Sequence, residues 1–397
     1  MPGVSFVFHI HEPRRLKRFS FFDIGVSSDF FDDVRTGAEL AAASHQQYRH
    51  WFSVLEQLRS SHREAFLYSL SLSGTTLELM REYAPVCVES IREATQSGFA
   101  ELLSTPYYNS LVSLTPNRHE LLEQIRLHTG MLQHSFGVTP TLFRNTELVC
   151  DDALVSDLTK HGFQGVYAEG VGDGECVDSP IGMFKRAHDG FAVLGCNRTL
   201  SRALLRALVE CDPGSESRCA RQLVDECIRS AGYGSPLVIE VPLSALSRDS
   251  VQGRVERGVF ELFVAELLSN SEWRCVPLSE AAQSCSSVIN FPYLRDPMQD
   301  RGTDRLERVL GNSMQRKAFD ELYAEHSRGA IAQETWRRLQ DATYLSMMNT
   351  VSARSFDAAL DRHGFESPYE VFITFMNIVK GAAAVGISRR DAHGAAW

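Results

Sequence analysis

"VSFVFHIHEP", residues 4–13, is the stretch on which the fold turns. It alternates with period two, so His9 and His11 lie two apart on one face of a strand, with Glu12 and Pro13 at its exit. A strand that ends in ionisable residues carries its chemistry at one end. In a parallel barrel that end is the C-terminal rim, where strands give way to loops.

Similar runs recur down the chain. "AFLYSLSLSG" (65–74), "AELL" (100–103), "TLFR" (141–144), "GVYAE" (165–169), "FAVLG" (191–195) and "PLVIEVPL" (236–243) are short and apolar. Amphipathic segments such as 36–60, 75–97, 117–135 and 151–162 lie between them. Repeated strand and helix imply parallel strands with right-handed crossovers, hence a barrel or a doubly wound sheet. Seven strand candidates fit a barrel slightly short of eight. After the Ser/Cys-rich "AAQSCSSV" (281–288) only helical segments follow, over about 303–328, 331–350, 353–363 and 367–385. The reading is α/β, with a barrel domain over 1–285 and a helical domain over 286–397.

The 397 residues suffice for a large core plus a smaller one, and 44% hydrophobic with 23% charged residues is ordinary for a globular chain. A formal charge of −10 argues against a nucleic-acid partner, whose affinity comes from Lys and Arg. A neutral partner such as a sugar polymer fits better. Nine cysteines without a C-x-x-C pair read as reduced thiols. The N-terminus lacks a basic n-region, and no run approaches a membrane span. The expected compartment is the cytoplasm.

Three constellations could carry chemistry. His9 and His11 form a metal pair or a substrate-contacting rim, or satisfy local hydrogen bonds at a barrel mouth. The metal reading needs a further His or carboxylate cluster at other strand ends, which the sequence does not supply, so no metal is assigned. Tyr107, Tyr108 and Asn109, just beyond a strand, suit stacking on sugar rings and bonding to hydroxyls, or core packing. Thr146 and Glu147 follow "LFRN", with Arg144 placed to keep the Glu147 carboxylate ionised as a nucleophile requires. The plainer reading of Glu147 is a residue near a helix N-terminus, which Asp151 and Asp152 also favour.

"FVFHIHEPRRLKRFSFFDIG", "GFAELLSTPYYNSLVSL", "FGVTPTLFRNTELV", "GVFELFVAELL", "VLGNSMQRKAFDELY", "WRRLQDATYLSMM" and "SPYEVFITFMNIV" occur in the order in which similar segments occur in glycoside hydrolase family 57, the α-amylase-like group. The resemblance runs from about residue 4 to 380. It implies an incomplete, seven-stranded (β/α) TIM-like barrel followed by a C-terminal helical domain. It also implies retaining cleavage of α-linked glucans by a Glu after the fourth strand and an Asp acid after the seventh, with no cofactor. Glu147 matches the nucleophile, and His11 a substrate-contacting His.

Departures cluster on the ligand side. "IEVPLSALSRDS" puts Pro242 at the expected acid and Ser244 at a following Glu. Asn109 stands for a His, Arg202 and Ala203 for an Asp pair, Thr343 and Tyr344 for an Asp-His pair, and His9 and Glu12 for glutamines. A retaining glycosidase needs two carboxyl groups about 5–5.5 Å apart. The expectation is therefore an impaired or inactive α-glucanase that keeps Glu147. The rivals are an active enzyme with a relocated acid, Asp249 or less readily Glu240, a metal-dependent hydrolase built on His9 and His11, and a non-catalytic saccharide-binding or protein-interaction scaffold.

Overall fold

The computed structural model describes residues 3–169, 183–231, 236–285, 288–289, 304–351 and 363–394. Each of the seven apolar runs forms a strand: β1 (Gly3–Ile10), β2 (Tyr68–Leu72), β3 (Ala100–Leu102), β4 (Leu142–Arg144), β5 (Gly165–Glu169), β7 (Ala192–Cys196) and β8 (Leu237–Pro242). Three further strands, β6 (Met183–Arg186), β9 (Arg274–Cys275) and β10 (Val288–Ile289), were not expected.

Two parallel sets run β3-β2-β1-β8 and β4-β5-β7. They meet at two junctions. Ser104, beyond β3, bridges Phe143, with Ser104 N–H donating to the Leu142 carbonyl at 3.0 Å and Arg144 N–H to that of Ser104 at 2.7 Å. Across the ring, Asn197 N–H donates to the Val238 carbonyl at 2.8 Å. This second seam is thin, because the edge of β7 is taken by β6, which pairs with it antiparallel from Met183↔Leu194 to Lys185↔Ala192. The barrel is incomplete there.

Both faces of the strands are buried, as parallel strands under crossover helices require. Val7, Leu103, Leu142, Tyr167, Leu194 and Val238 fill the interior. Phe6 and Phe8 point outward to the helices, where Phe260 meets the Phe6 ring edge-on at 5.2 Å and Trp51 at 5.7 Å. Each such ring contributes about 1.5–3 kcal/mol through its burial.

The barrel helices are α1 (Asp33–Ala43), α2 (Arg49–His62), α3 (Gly74–Tyr83), α4 (Pro85–Gln96), α5 (Arg118–Phe136), α6 (Asp152–Lys160), α7 (Arg198–Glu210), α8 (Glu216–Ser230), α9 (Gln252–Ser269) and α10 (Leu278–Ser284). Side-chain caps start several of them: Asp32, Ser73, Asn117, Asp151 and Asn197 each accept a first-turn N–H. The segment expected as one helix over 75–97 is two, because Pro85 starts α4. Between α1 and α2 the chain widens into a π turn over Ser44–Tyr48. That turn aims Gln47 at the Leu243 and Leu246 carbonyls and Tyr48 at Glu12.

Gly165 shows how tightly β5 is held. A Cβ there would lie 2.7 Å from the Ala192 carbonyl oxygen and 3.0 Å from Leu142 Cδ2. Backbone cannot swing aside as a long side chain can. Gly165→Ala should cost about 1–3 kcal/mol in urea denaturation, and an unchanged midpoint would contradict the packing described.

Helices α11 (Asp304–Leu310), α12 (Ser313–Ser327), α13 (Gln333–Leu339), α14 (Ala342–Ser346) and the terminal Pro368–Gly394 follow. They gather around Trp336, Phe375 and Met348 and close onto Leu16, Phe19, Phe30, Leu111 and Val149. Those five belong to loops after β1, β3 and β4, so the helices sit over the C-terminal mouth of the barrel. The helix expected over 353–363 falls almost wholly outside the described residues, as do the residues that follow the boundary expected at 285/286. Eight cysteines are free thiols, and Cys176 lies outside the described part. Among the described residues, no helix is long and apolar enough to cross a membrane.

Candidate active site at the barrel mouth

The mouth is built by inward-facing residues at the ends of successive strands. On β5, Tyr167 packs into the barrel interior, so Glu169 two residues on faces the same way at the exit. By the same count Val238 on β8 places Glu240, then Pro242, on the inward face. Val7 places His9 there on β1, in register with Pro242.

Glu147 lies in the tight turn Thr146–Leu148 after β4, with φ 54° and ψ 20°. Leu148 also has φ 54°. Two successive non-glycine residues in the left-handed region cost about 1–2 kcal/mol each. The turn leaves the Glu147 side chain 11% exposed and ion-paired to Arg308 on α11. Strain of this kind gathers at functional sites.

Arg144 does not serve Glu147 as the sequence suggested. Its guanidinium reaches across the barrel to Glu240, with Nη2 at 2.7 Å and Nε at 3.2 Å from Oε1. Arg305 of α11 pairs with the other Glu240 oxygen. Burial pushes the Glu240 carboxyl up, but Arg305 and Arg144 outweigh it and hold the group well below the usual carboxylate range. An acid so firmly ionised cannot deliver a proton near neutrality. Burial, reinforced by Arg144 and opposed by Glu240, pushes the His9 imidazole well below its ordinary value, so it is neutral.

Glu169 has looser company. Arg198 Nε stands 3.3 Å and Arg305 Nε 3.8 Å from its Oε1. Here burial prevails. It raises the carboxyl above its ordinary range against the pull of Arg305 and Arg198, with the charges of Glu147 and Glu240 adding to the rise.

The remaining expected residues divide into connectors and packing. His11 Nδ1 lies 2.8 Å from Ser73 Oγ, and its Nε2 lies 2.9 Å from Asp341 at the start of α14. Asn109, at φ 52°, donates to the same Asp341 at 3.4 Å. These contacts fasten the barrel to the helices. Glu12 is buried and accepts from Tyr48, Arg15 and Arg248. Tyr107 is buried: its ring covers Gly74, where a Cβ would come within 2.4 Å, and its hydroxyl donates to Glu78 at 2.6 Å. The Tyr108 ring lies tilted against it, with centroids 4.8 Å apart, and is partly exposed. The Tyr344 hydroxyl bonds the Arg14 carbonyl.

Asp249 is exposed and accepts the Val251 and Gln252 N–H groups before α9. Those N–H groups hold its carboxyl below the usual range, the wrong direction for an acid. No group of three or more His, Cys, Asp or Glu arranged to hold a metal occurs among the described residues.

Sequence reasoning passed over Asp341, Arg305, Arg308 and Glu169. Asp341, in "LQDATYLSMM", carried a usable signal as the one acid in a segment of buried character. Arg305 and Arg308 carried none, since Arg residues three apart on a helix normally face water.

Comparisons with known proteins bear on the family and the fold. Residues 5–205 match the family model described as glycosyl hydrolase family 57. A protein of Methanocaldococcus jannaschii named "Putative alpha-amylase" is 24% identical over 335 residues, covering 80% of this chain and 68% of that one. Among solved structures, the GH57-type branching enzyme from Pyrococcus horikoshii superposes with a TM-score of 0.61 at 12% identity, over 91% of this chain and 88% of that one. The GH57 branching enzyme from Thermococcus kodakaraensis gives 0.63 at 10% identity, over the same shares. The 4-alpha-glucanotransferase from Thermococcus litoralis gives 0.58 at 14% identity, and this chain spans 60% of its length. At such identities the superpositions speak for the fold, a TIM-like barrel with a helical domain.

Proposed function

Because the chain belongs to glycosyl hydrolase family 57, we infer that it acts on α-linked glucans through Glu147 as nucleophile, and cleaves unactivated linkages poorly. The observation that carries this reading is the left-handed backbone at Glu147, which directs a carboxylate into the mouth at the exit of β4. The weakness follows from Pro242. It occupies the inward position at the exit of β8, where the family resemblance expects an acid, and it has no proton to give.

Attack by a Glu147 oxygen on the anomeric carbon breaks the bond to the leaving oxygen and leaves a glycosyl ester. Water then hydrolyses the ester. General-acid assistance is worth about 10²- to 10⁴-fold, so its loss from β8 slows natural linkages far more than donors with a good leaving group. His9 and the partly exposed Tyr108 would contact the saccharide. Eight free thiols favour a reducing compartment, the cytoplasm.

A second reading has one observation in its favour: the Arg308 guanidinium on Glu147 Oε2. In it the carboxylate is only an anchor for α11, and the barrel binds a saccharide or protein without chemistry. Incubation with α-glucosyl and α-maltosyl fluoride, whose leaving group needs little protonation, separates the two. The expected result is a glycosyl adduct by intact-mass spectrometry that Glu147→Gln abolishes. No adduct from either donor would favour the anchor.

A further inference from the structure

We propose that Glu169, at the exit of β5, is the proton donor to the leaving oxygen in the weak cleavage of natural linkages that remains without an acid on β8. The inference rests on the assignment of Glu147 as nucleophile. It starts from geometry. β4 and β5 are adjacent parallel strands with Arg144 opposite Tyr167. Glu147 lies three residues past that register and Glu169 two, so the two carboxyl groups leave neighbouring strands at nearly one height. Neighbouring strands are about 4.8 Å apart, which suits the roughly 5–5.5 Å between the carboxyl groups of retaining glycosidases.

Elimination supports the choice. Five carboxyl groups of the described residues gather at or beside the mouth. Glu240 is clamped by Arg144 and Arg305, and Glu12 by Arg15, Arg248 and Tyr48. Asp341 is ion-paired to His11, and Glu147 is the nucleophile. Glu169 alone combines the inward position with loose partners. The charged groups around it come from β4's exit turn (Glu147), β8 (Glu240), α7 (Arg198) and α11 (Arg305). Burial together with the two neighbouring carboxylates favours its protonated form, the form a donor needs.

The step balances. A Glu147 oxygen bonds the anomeric carbon, the bond from that carbon to the leaving oxygen breaks, and its electron pair takes the proton from Glu169. Glu147 is then esterified and Glu169 is a carboxylate. In the second half Glu169 accepts a proton from water as the water oxygen displaces Glu147.

The test compares parent and Glu169→Gln on α-maltosyl fluoride and on maltooligosaccharides. Glycosylation of Glu147 by the fluoride should change less than about threefold, while maltooligosaccharide cleavage should fall by about 100-fold or more. With Glu169→Ala, the adduct should accumulate and added azide should release it as the α-glycosyl azide, since azide needs no base. A purely structural role would give no azide product. Should both variants misfold, a leaving-group series of aryl α-maltosides on the parent chain decides: a shallow dependence on aglycone acidity supports a donor, and a steep one overturns it. An adduct that forms in the parent, with both substrates equally affected or neither affected by Glu169→Gln, overturns Glu169 but keeps Glu147. Absence of any parent adduct removes both assignments.

Discussion

Glu256→Gln will be more stable than the parent chain at pH 8, by roughly 2–4 kcal/mol in urea denaturation, and the two will converge near pH 4.5. Glu256 sits inside the first turns of α9, buried, with both oxygens 3.0 Å from the Ser247 N–H. Burial pushes its carboxyl up to about 7, against the opposing pull of the Ser247 N–H and Arg257. The unfolded chain titrates this group near about 4.3, so the folded state holds the proton more tightly. Its contribution is fully present below that value and is lost as pH rises through about 7. Glutamine keeps the acceptor and never ionises, which removes the slope. Glu101 and Glu169, also raised chiefly by burial, leave a smaller residual slope of the same sign. Parallel curves for parent and variant across pH 5–8 would refute the assignment.

The opposite sign belongs to Glu240. Replacing it with leucine should cost about 3–5 kcal/mol at neutral pH, because Arg144 is left buried with no counter-ion and Arg305 keeps only the looser Glu169. The double change Arg144→Met with Glu240→Leu should recover most of that loss, since apolar groups of similar volume replace a buried pair at little cost. A double-mutant cycle with no coupling would show that the two side chains do not act as a unit. The Glu240 carboxyl is held below its ordinary range, so its stabilisation is present above about 4.3 and drains away as pH falls below it. Glu256 erodes stability on the alkaline side and Glu240 on the acid side. Taken together, these two groups alone put the maximum at about pH 4.3, with stability falling from there toward pH 7 as Glu256 ionises.

The barrel was legible because it is written locally. Each run from "VSFVFHIH" to "PLVIEVPL" is short, apolar and bounded by breakers, which is what a strand buried on both faces needs. Met183–Arg186 escaped notice because "MFKR" is half charged and becomes a strand only by pairing with β7. The mouth was read less well. Glu147 stood out by its place after a strand, but its partner lies 161 residues away, and that of Arg144 lies 96 away. Nothing in local spacing tells an arginine which of several acids it will meet across a ring. Tyr107 and Tyr108 show the same limit: the pair looked like a sugar platform, yet the missing side chain of Gly74 makes a seat for Tyr107 that only the folded chain reveals.

The left-handed turn at Glu147 also bears on how this chain can change over evolutionary time. Glycine or asparagine would occupy φ 54° with less strain, so random substitution at this codon offers an immediate gain in stability. A chain with no further use for a carboxylate there would be expected to drift downhill toward those residues. Glutamate at φ 54° is what a carboxylate in use would leave, whether that use is attack on a sugar or the hold on Arg308.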